Sequence, residues 1–187
     1  MATTQEILDV ARDRMGKAAS FLTTELQSIR AGRANPHLLD NIRVDYYGTP
    51  TPIAQVGNVS APEPRLLMIS PWDVSLIQVI EKAIQVSDLG INPQNDGKVI
   101  RLMIPELTEE RRKDLVKTVR KRGEDSKVAV RNVRRDTLEQ LKALEKEHTI
   151  SEDELRREED SVQKITNEYI AQVDEIIRDK EKEILSV

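Results

Sequence analysis

Cysteine is absent from this chain of 187 residues, and aromatic residues make up only 3% of it. Without cysteine there can be no disulfide, no thiolate nucleophile and no cysteine zinc site, and the composition is consistent with a reducing cytoplasm. Because 33% of the residues are charged and few are aromatic, the composition suits long helices better than a bulky globular core.

Long apolar runs are also lacking, since no stretch approaches the ~20 apolar residues that cross a membrane. The start of the chain is amphipathic, carries acids and has no long apolar core, unlike a signal or transit peptide. We therefore expect a cytoplasmic protein with no membrane partner.

Signatures of catalysis are missing as well. The seven glycines are scattered and form no phosphate-binding loop, and neither a zinc-protease helix nor a serine nucleophile elbow occurs. His37 and His148 are predicted to lie on a turn and a helix connection, without further metal ligands near them. Adjacent acids such as Glu109 and Glu110 are better explained as solvated helix positions than as acid–base pairs. We expect no enzymatic activity, no metal and no cofactor.

Basic charge is concentrated between Leu107 and Asp136, although the formal net charge of the whole chain is −4. The periodicity of this stretch predicts a helix with an apolar face and a cationic face, roughly a third of a turn apart. The apolar face contains Leu115, Val119, Val130, Val133, Leu141 and Leu144. The cationic face contains Lys113, Lys117, Arg120, Lys127, Arg131 and Arg134, and the same stretch includes Arg112 and Arg135.

Such a helix can pack with one face and present cations to an anionic partner with the other. The alternative is that the charge run is only a solvated face, as helical charge runs often are. Gly123 and Ser126 stand where the apolar stripe would place larger residues. They mark either a bend or the close approach of another helix, and the sequence does not distinguish the two.

Three long amphipathic helices are predicted, from about Thr4 to Ile29, from the start of the basic stretch to about Lys146, and from about Glu152 to Ile184. The connection at 147–151 is short, which favours an antiparallel helix pair within one chain. The helices therefore predict a three-helix bundle formed by residues 1–30 and 105–187. The last helix also carries a heptad seam of Leu155, Val162, Tyr169 and Ile176. An open coiled-coil dimer, acting as a structural adaptor, is thus an alternative.

Between the helical arms the pattern changes to short alternating segments. Strands are predicted at about 42–46, 55–61, 65–70 and 98–103, with a turn segment at 47–52 and a helix over 73–86. This pattern indicates a small α/β domain at 31–104, inserted into the bundle. The expected fold class is α+β, with two domains.

The aromatic side chains are not interleaved with the arginines, so stacking of single-stranded bases is not the expected mode of binding. Phe21 and Tyr169 fit bundle core positions, and Trp72, just before a helix, fits a packing role. A rigid rod that carries arginines suits the phosphates of folded RNA, because the planar guanidinium can grip a phosphate with two hydrogen bonds.

Five segments of the chain resemble the ribosome recycling factor family, in the same order and over essentially the whole length. They are Ile29–Pro36 (IRAGRANP), Val44–Pro52 (VDYYGTPTP), Glu81–Ile84 with Ser87–Pro93 (EKAI, SDLGINP), Leu107–Arg112 (LTEERR) and Val128–Asp136 (VAVRNVRRD). Agreement of five long ordered motifs is not expected by chance.

The resemblance implies an L-shaped protein near the size of a transfer RNA, whose three-helix bundle is joined to the small domain by two chain crossings. It implies action after termination, together with elongation factor G, whose GTP hydrolysis helps to split the ribosome into subunits. The hinge between the domains would lie at Arg30, Ala31 and Gly32 and at Pro105 and Glu106, where the domain limits are predicted.

The resemblance also implies that the bundle lies against large-subunit ribosomal RNA. The arginines assigned to that contact are Arg33, Arg112, Arg131 and Arg134. Three of these belong to the basic stretch, which adds Lys127 and Arg135 as candidates, whereas Arg33 comes only from the resemblance. We expect a monomer that binds the ribosome and elongation factor G.

Overall fold

The computed structural model describes residues 2–29 and 32–186, which form two compact units. The helical unit comprises the described residues up to Leu26 together with Lys113–Ser186. The small unit comprises the described residues from Gln27 to Arg112. The predicted domain limits, 1–30 with 105–187 and 31–104, stay a prediction.

Three long helices supply the helical unit: α1 (Thr4–Gln27), α4 (Glu109–Lys146) and α5 (Glu152–Leu185). They share one apolar core, which confirms the predicted three-helix bundle. The core residues are Ile7, Leu8, Ala11, Met15, Val130, Val133, Leu141, Leu144, Ile150, Val162 and Ile165. The heptad seam of α5 packs against the other two helices of this chain, since Val162 is fully buried and Leu155 and Tyr169 pack against the core.

Each long helix begins at a hydroxyl cap that accepts a hydrogen bond from an otherwise unbonded backbone N–H. The Thr3 hydroxyl accepts from the Glu6 N–H (3.2 Å), and the Glu6 carboxylate accepts from the Thr3 N–H (2.8 Å), which completes a capping box. The Thr108 hydroxyl accepts from the Arg111 N–H at 3.2 Å, and the Ser151 hydroxyl accepts from the Glu154 N–H at 3.1 Å.

The small unit contains a two-stranded hairpin, a four-stranded antiparallel sheet and short helices. The hairpin pairs β1 (Arg43–Tyr46) with β2 (Thr49–Pro52), and α2 (Ile53–Val56) follows it. The sheet has the order β3-β4-β6-β5, formed by β3 (Gly57–Glu63), β4 (Leu66–Pro71), β5 (Gln94–Asn95) and β6 (Ile100–Met103). Helix α3 (Ile77–Gln85) buries Ile77, Ile80 and Ile84 in the core of this unit.

The segment at 47–52, predicted as a turn, is a turn followed by a strand. Only Tyr47 and Gly48 make the turn, with φ values of 49° and 82°, as a two-residue hairpin loop requires. Pro50 and Pro52 lie in β2, which pairs with one neighbour only and so tolerates residues without an N–H. The strand predicted at 55–61 begins two residues late, because Gln55 and Val56 end α2.

Two of the aromatic predictions were wrong. Phe21 is 65% exposed because it lies roughly 100° from the buried stripe of α1, which is centred on Met15 and Leu22. Trp72 is 70% exposed, and the core beneath it is filled by aliphatic side chains of the sheet and α3. The half-buried Tyr169 does pack against the bundle core, as predicted.

Candidate nucleic-acid interface

The basic helix α4 separates its apolar and cationic faces as the periodicity predicts. Its predicted apolar residues are all buried, and Gly123, Ser126 and Thr137 are buried on the same side. Among the predicted cations Lys113, Lys117, Arg120 and Arg131 are exposed, whereas Lys127 and Arg134 are only partly so. The exposure of these cations therefore does not by itself show which of them bind RNA.

Close approach of neighbouring helices explains the small residues of α4. A Cβ atom at Gly123 would overlap Cδ1 of Ile177 on α5 and would stand 2.6 Å from its Cγ1. The Ser126 hydroxyl donates to the carbonyl of Ala18 on α1 at 3.3 Å. Of the two explanations left open by the sequence, close approach is the one that both positions support.

Two cations of the face are neutralised by acids of α5. Arg120 Nε donates to Glu181 Oε1 at 2.6 Å, and Lys127 Nζ contacts Asp174 Oδ1 at 2.6 Å and Glu124 Oε1 at 3.3 Å. The hydrogen bond to Glu181 raises the pKa of Arg120, and that to Asp174 is the main reason why the pKa of Lys127 is raised. Both cations stay charged at neutral pH, but an acid already holds each of them.

The neutralised pairs repeat every seven residues, because α4 and α5 run antiparallel. A step from Arg120 to Lys127 on α4 matches a step from Glu181 back to Asp174 on α5. One further step pairs position 134 with position 167, which is Asn167. The Asn167 side chain carries no charge and accepts a hydrogen bond from Gln163 Nε2 at 2.8 Å. At this third step of the repeat, α5 therefore carries an amide and not an acid.

The arginines beyond Lys127 form a group without ion pairs. Within residues 2–29 and 32–186, no acid pairs with Arg131, Arg134 or Arg135. Arg134 Nε is buried and finds no hydrogen-bond partner among those residues, so packing, and not an acid, holds the inner end of its guanidinium. A held but unneutralised guanidinium is well suited to a phosphate, since less side-chain entropy is lost on binding.

Arg33 and Arg112, the other two arginines implied by the resemblance, belong to the small unit. Arg33 is exposed. Arg112 lies in the first turn of α4, where its N–H donates to the Thr108 carbonyl at 3.0 Å. Its Nε is also buried without a partner in the described part of the chain, as in Arg134.

The predicted hinge is described only in part. Arg30 and Ala31 lie outside the described residues. Gly32 has φ +74°, a left-handed conformation that glycine adopts readily. Glu106 is exposed and accepts a 2.6 Å hydrogen bond from Arg65, a residue that sequence reasoning did not single out.

We also looked among the described residues for metal-ligand groups, histidine contacts and membrane-spanning helices. They contain no group of three or more His, Cys, Asp or Glu residues that could hold a metal ion. The His37 ring pairs with Asp40 of the same turn at 2.9 Å. In the described part of the chain, no helix combines the length and the hydropathy needed to cross a membrane.

Comparison with known families gives one consistent result. The sequence model of the family "Ribosome recycling factor" matches residues 22–185. A ribosome-recycling factor from Brevibacillus brevis is 57% identical to this chain over 183 residues, covering 98% of this chain and 99% of the relative. One from Lachnoclostridium phytofermentans is 60% identical over 174 residues, covering 93% and 95% of the two chains.

Solved structures agree with the sequences. A solution structure of a ribosome recycling factor superposes with a TM-score of 0.82 at 40% identity, covering 100% of both chains. A second similar structure is a Thermus thermophilus ribosome recycling factor, described together with Escherichia coli elongation factor G bound to the E. coli post-termination complex. It has a TM-score of 0.70 and 48% identity, and the match covers 98% of this chain and 100% of the other.

Proposed function

Because the chain belongs to the ribosome recycling factor family, a family of translation factors and not of enzymes, we propose that it splits post-termination ribosomes into subunits in the cytoplasm. It would act as a monomer together with elongation factor G and GTP. The observation that carries this proposal is the match of the family over residues 22–185.

The helical unit would bind large-subunit ribosomal RNA through the arginines of α4 that no acid neutralises. The support is the sorting of charge along the helix, since among the described residues Arg131, Arg134 and Arg135 have no acidic partner, whereas Arg120 and Lys127 each have one. Phosphate oxygens would take the place of those acids, and arginine is suited to hold them by paired hydrogen bonds. Arg33 and Arg112 would add contacts from the small unit. Lys127 would contribute only if it exchanged Asp174 for a phosphate.

A hinge between the two units, which the sequence predicts at Arg30, Ala31, Gly32, Pro105 and Glu106, would let the small unit move relative to the bundle when elongation factor G acts. The work of the protein is then mechanical: one unit stays bound to RNA while the other is displaced. No bond is made or broken by the chain itself in this proposal.

The adaptor alternative finds little support. It requires the seam of α5 to be available to a partner helix, but Val162, Ile165 and Val173 are buried by packing within this chain. A monomer in analytical ultracentrifugation is the expected result. A stable dimer that does not bind ribosomes would favour the adaptor.

The function is tested by sedimentation of post-termination ribosomes after incubation with the protein, elongation factor G and GTP. The native protein should convert them to subunits, and the Arg131→Gln/Arg134→Gln variant should do so much more slowly at equal concentration. A matched control is Arg120→Gln/Arg122→Gln, which removes two arginines that acids already hold. Failure of the folded native protein to split cognate ribosomes would contradict the proposal.

A further inference from the structure

Two segments of the small unit, each lying a few residues inside one of its limits, are fastened to the same turn, between β3 and β4. We define the first crossing as Gly32–Ala34 and the second as Ile104–Leu107. The Ala34 N–H donates to the Pro64 carbonyl at 2.7 Å, and the Ile104 N–H donates to the carbonyl of the next residue, Arg65, at 2.8 Å. Two adjacent carbonyls of one turn thus bind the two crossings.

The side chain of Arg65 adds two further bonds to the second crossing. Its Nε donates to the Ile104 carbonyl at 3.1 Å, and its Nη1 donates to Glu106 Oε1 at 2.6 Å. One arginine therefore spans the residues on either side of Pro105, which itself has no N–H to donate. The side chain of Arg65 is 37% exposed, so it lies over the crossing without being part of the core.

The two crossings also touch each other. Gly32 is buried, and a Cβ atom there would stand 3.2 Å from Cγ of Leu107. The glycine thus allows contact with the second crossing as well as its left-handed backbone. The crossings and the β3–β4 turn form one hydrogen-bonded and packed assembly, which belongs to the small unit.

We propose that Arg65 is a positioning residue that fixes the second crossing to the β3–β4 turn, to which the first crossing is bound through Pro64, so that Gly32, Pro105 and Glu106 move with the small unit and do not act as the pivot. On the second crossing, bending would then occur between Leu107 and the bundle and not at Pro105 or Glu106. This inference rests on the proposed function, and it revises the hinge expected from the sequence.

Arg65 is proposed to make the second crossing rigid more than to raise the free energy of unfolding. A partly exposed ion pair contributes little to the free energy of folding, because solvent screens it and two side chains are ordered. A displaced small unit, however, can transmit motion to the bundle only if the segments that join them do not yield. Loss of the Arg65 bonds should therefore reduce the rate of splitting without reducing the affinity for ribosomes.

The first test compares Arg65→Met with Arg101→Met. Arg101 is a matched control because it is also a partly exposed arginine of the small unit, and its side chain pairs at 3.0 Å with Asp96, which belongs to neither crossing. At saturating protein we expect Arg65→Met to slow splitting by about threefold or more, with ribosome affinity within about twofold of native. Arg101→Met should match the native protein in both. Native splitting by Arg65→Met, or an equal loss in both variants, would overturn the proposal.

The second test replaces the contact between Arg65 and Glu106 by a chemical cross-link that can be added or left out. The chain has no cysteine, so Arg65→Cys/Glu106→Cys can be joined selectively by a short flexible bis-maleimide. The unjoined double variant should split slowly, and the joined one should recover to within about twofold of the native rate. If the joined protein binds ribosomes but stays slow, residues 65 and 106 must separate during splitting, and the proposal is wrong.

Amide hydrogen exchange in the isolated protein tests the fastening by Arg65 without relying on ribosome splitting. In the isolated protein, Arg65→Met should accelerate exchange at Ile104 but not at Ile100, which pairs with Ile69 within the sheet. Unchanged exchange at Ile104 would refute the fastening by Arg65 even if the native protein splits ribosomes. Failure of the native protein to split would refute the proposed function and leave the exchange result to decide the fastening.

Discussion

Two stretches of the same helix carry similar cations in different surroundings. In the stretch from Arg120 to Lys127, acids of α5 lie within 2.6 Å of both end residues. In the stretch from Arg131 to Arg135, none of the three arginines has an acidic partner in the described chain. What distinguishes the two stretches is whether α5 supplies an acid as an ion-pair partner. A basic helix should therefore be judged by its unneutralised cations and not by its total charge.

The largest effect should come from the second stretch. Arg131→Gln/Arg134→Gln should weaken ribosome binding roughly a hundredfold, because each charged hydrogen bond to phosphate contributes about 1.5–3 kcal/mol. Arg120→Gln/Arg122→Gln removes the same charge from the same helix and should change the dissociation constant by less than about threefold. Binding of labelled protein to purified ribosomes measures both. Equal losses in the two variants would show that net charge, and not pairing, decides the contact.

The second largest effect concerns the approach of α5 to the first stretch. Gly123→Val should destabilise the bundle by roughly 1–3 kcal/mol, since the added side chain would overlap Ile177. Urea denaturation followed by circular dichroism gives the change in the free energy of unfolding. The same substitution combined with Ile177→Ala should recover part of the loss, whereas an unchanged stability of Gly123→Val alone would mean that the helices can separate at no cost.

A smaller effect should follow from releasing Lys127. Asp174→Asn removes the acid that is the main cause of the raised pKa of Lys127 and leaves only the longer contact with Glu124 at 3.3 Å, so the ammonium is more readily available to a phosphate. Ribosome affinity should rise by up to about threefold. Glu175→Gln is the control, because it makes the same change of charge at the next, exposed position of α5. Weaker binding by Asp174→Asn would show that the Lys127 pair serves the interface as it stands.

The smallest effect concerns the ion pair between Asp96 and Arg101 in the small unit, which is the control pair for Arg65. Backbone N–H groups of Val99 and Lys98, more than Arg101, lower the pKa of Asp96 to about 2. Because folding favours the charged carboxylate, its contribution to stability is complete above about pH 4 and is lost as the pH falls towards 2. In Arg101→Met, a carboxyl titration by NMR should still give a pKa for Asp96 well below 3.8. A return to 3.8 would make the arginine the main cause.

Much of this architecture is contained in local sequence pattern. The period of 3.6 residues places Val119, Val130 and Leu141 on the buried side of α4, where each is fully buried. The hydroxyl caps fix the starts of α4 and α5 to within two residues, because a cap acts on its own first turn. Helix ends and buried faces are decided within a few residues of the chain, so the sequence predicts them well.

Features decided by distant residues were not predicted. The neutralisation of Arg120 depends on Glu181 of α5, and the register of α5 against α4 is set only by packing. The spacing of seven residues shared by the cations and the acids was the signal that could have revealed the pairing. Phe21 and Trp72 escaped correct assignment because hydrophobic character alone does not say which face of an element is covered.

The salt dependence of ribosome binding tests the central claim most directly. Each phosphate contact that a cation makes adds about one unit to the slope of log affinity against log salt. We expect Arg131→Gln/Arg134→Gln to reduce the magnitude of this slope by about two units and Arg120→Gln/Arg122→Gln to leave it unchanged. A slope reduced equally in both variants, or in neither, would contradict the assignment of the RNA contact to the unneutralised arginines of α4.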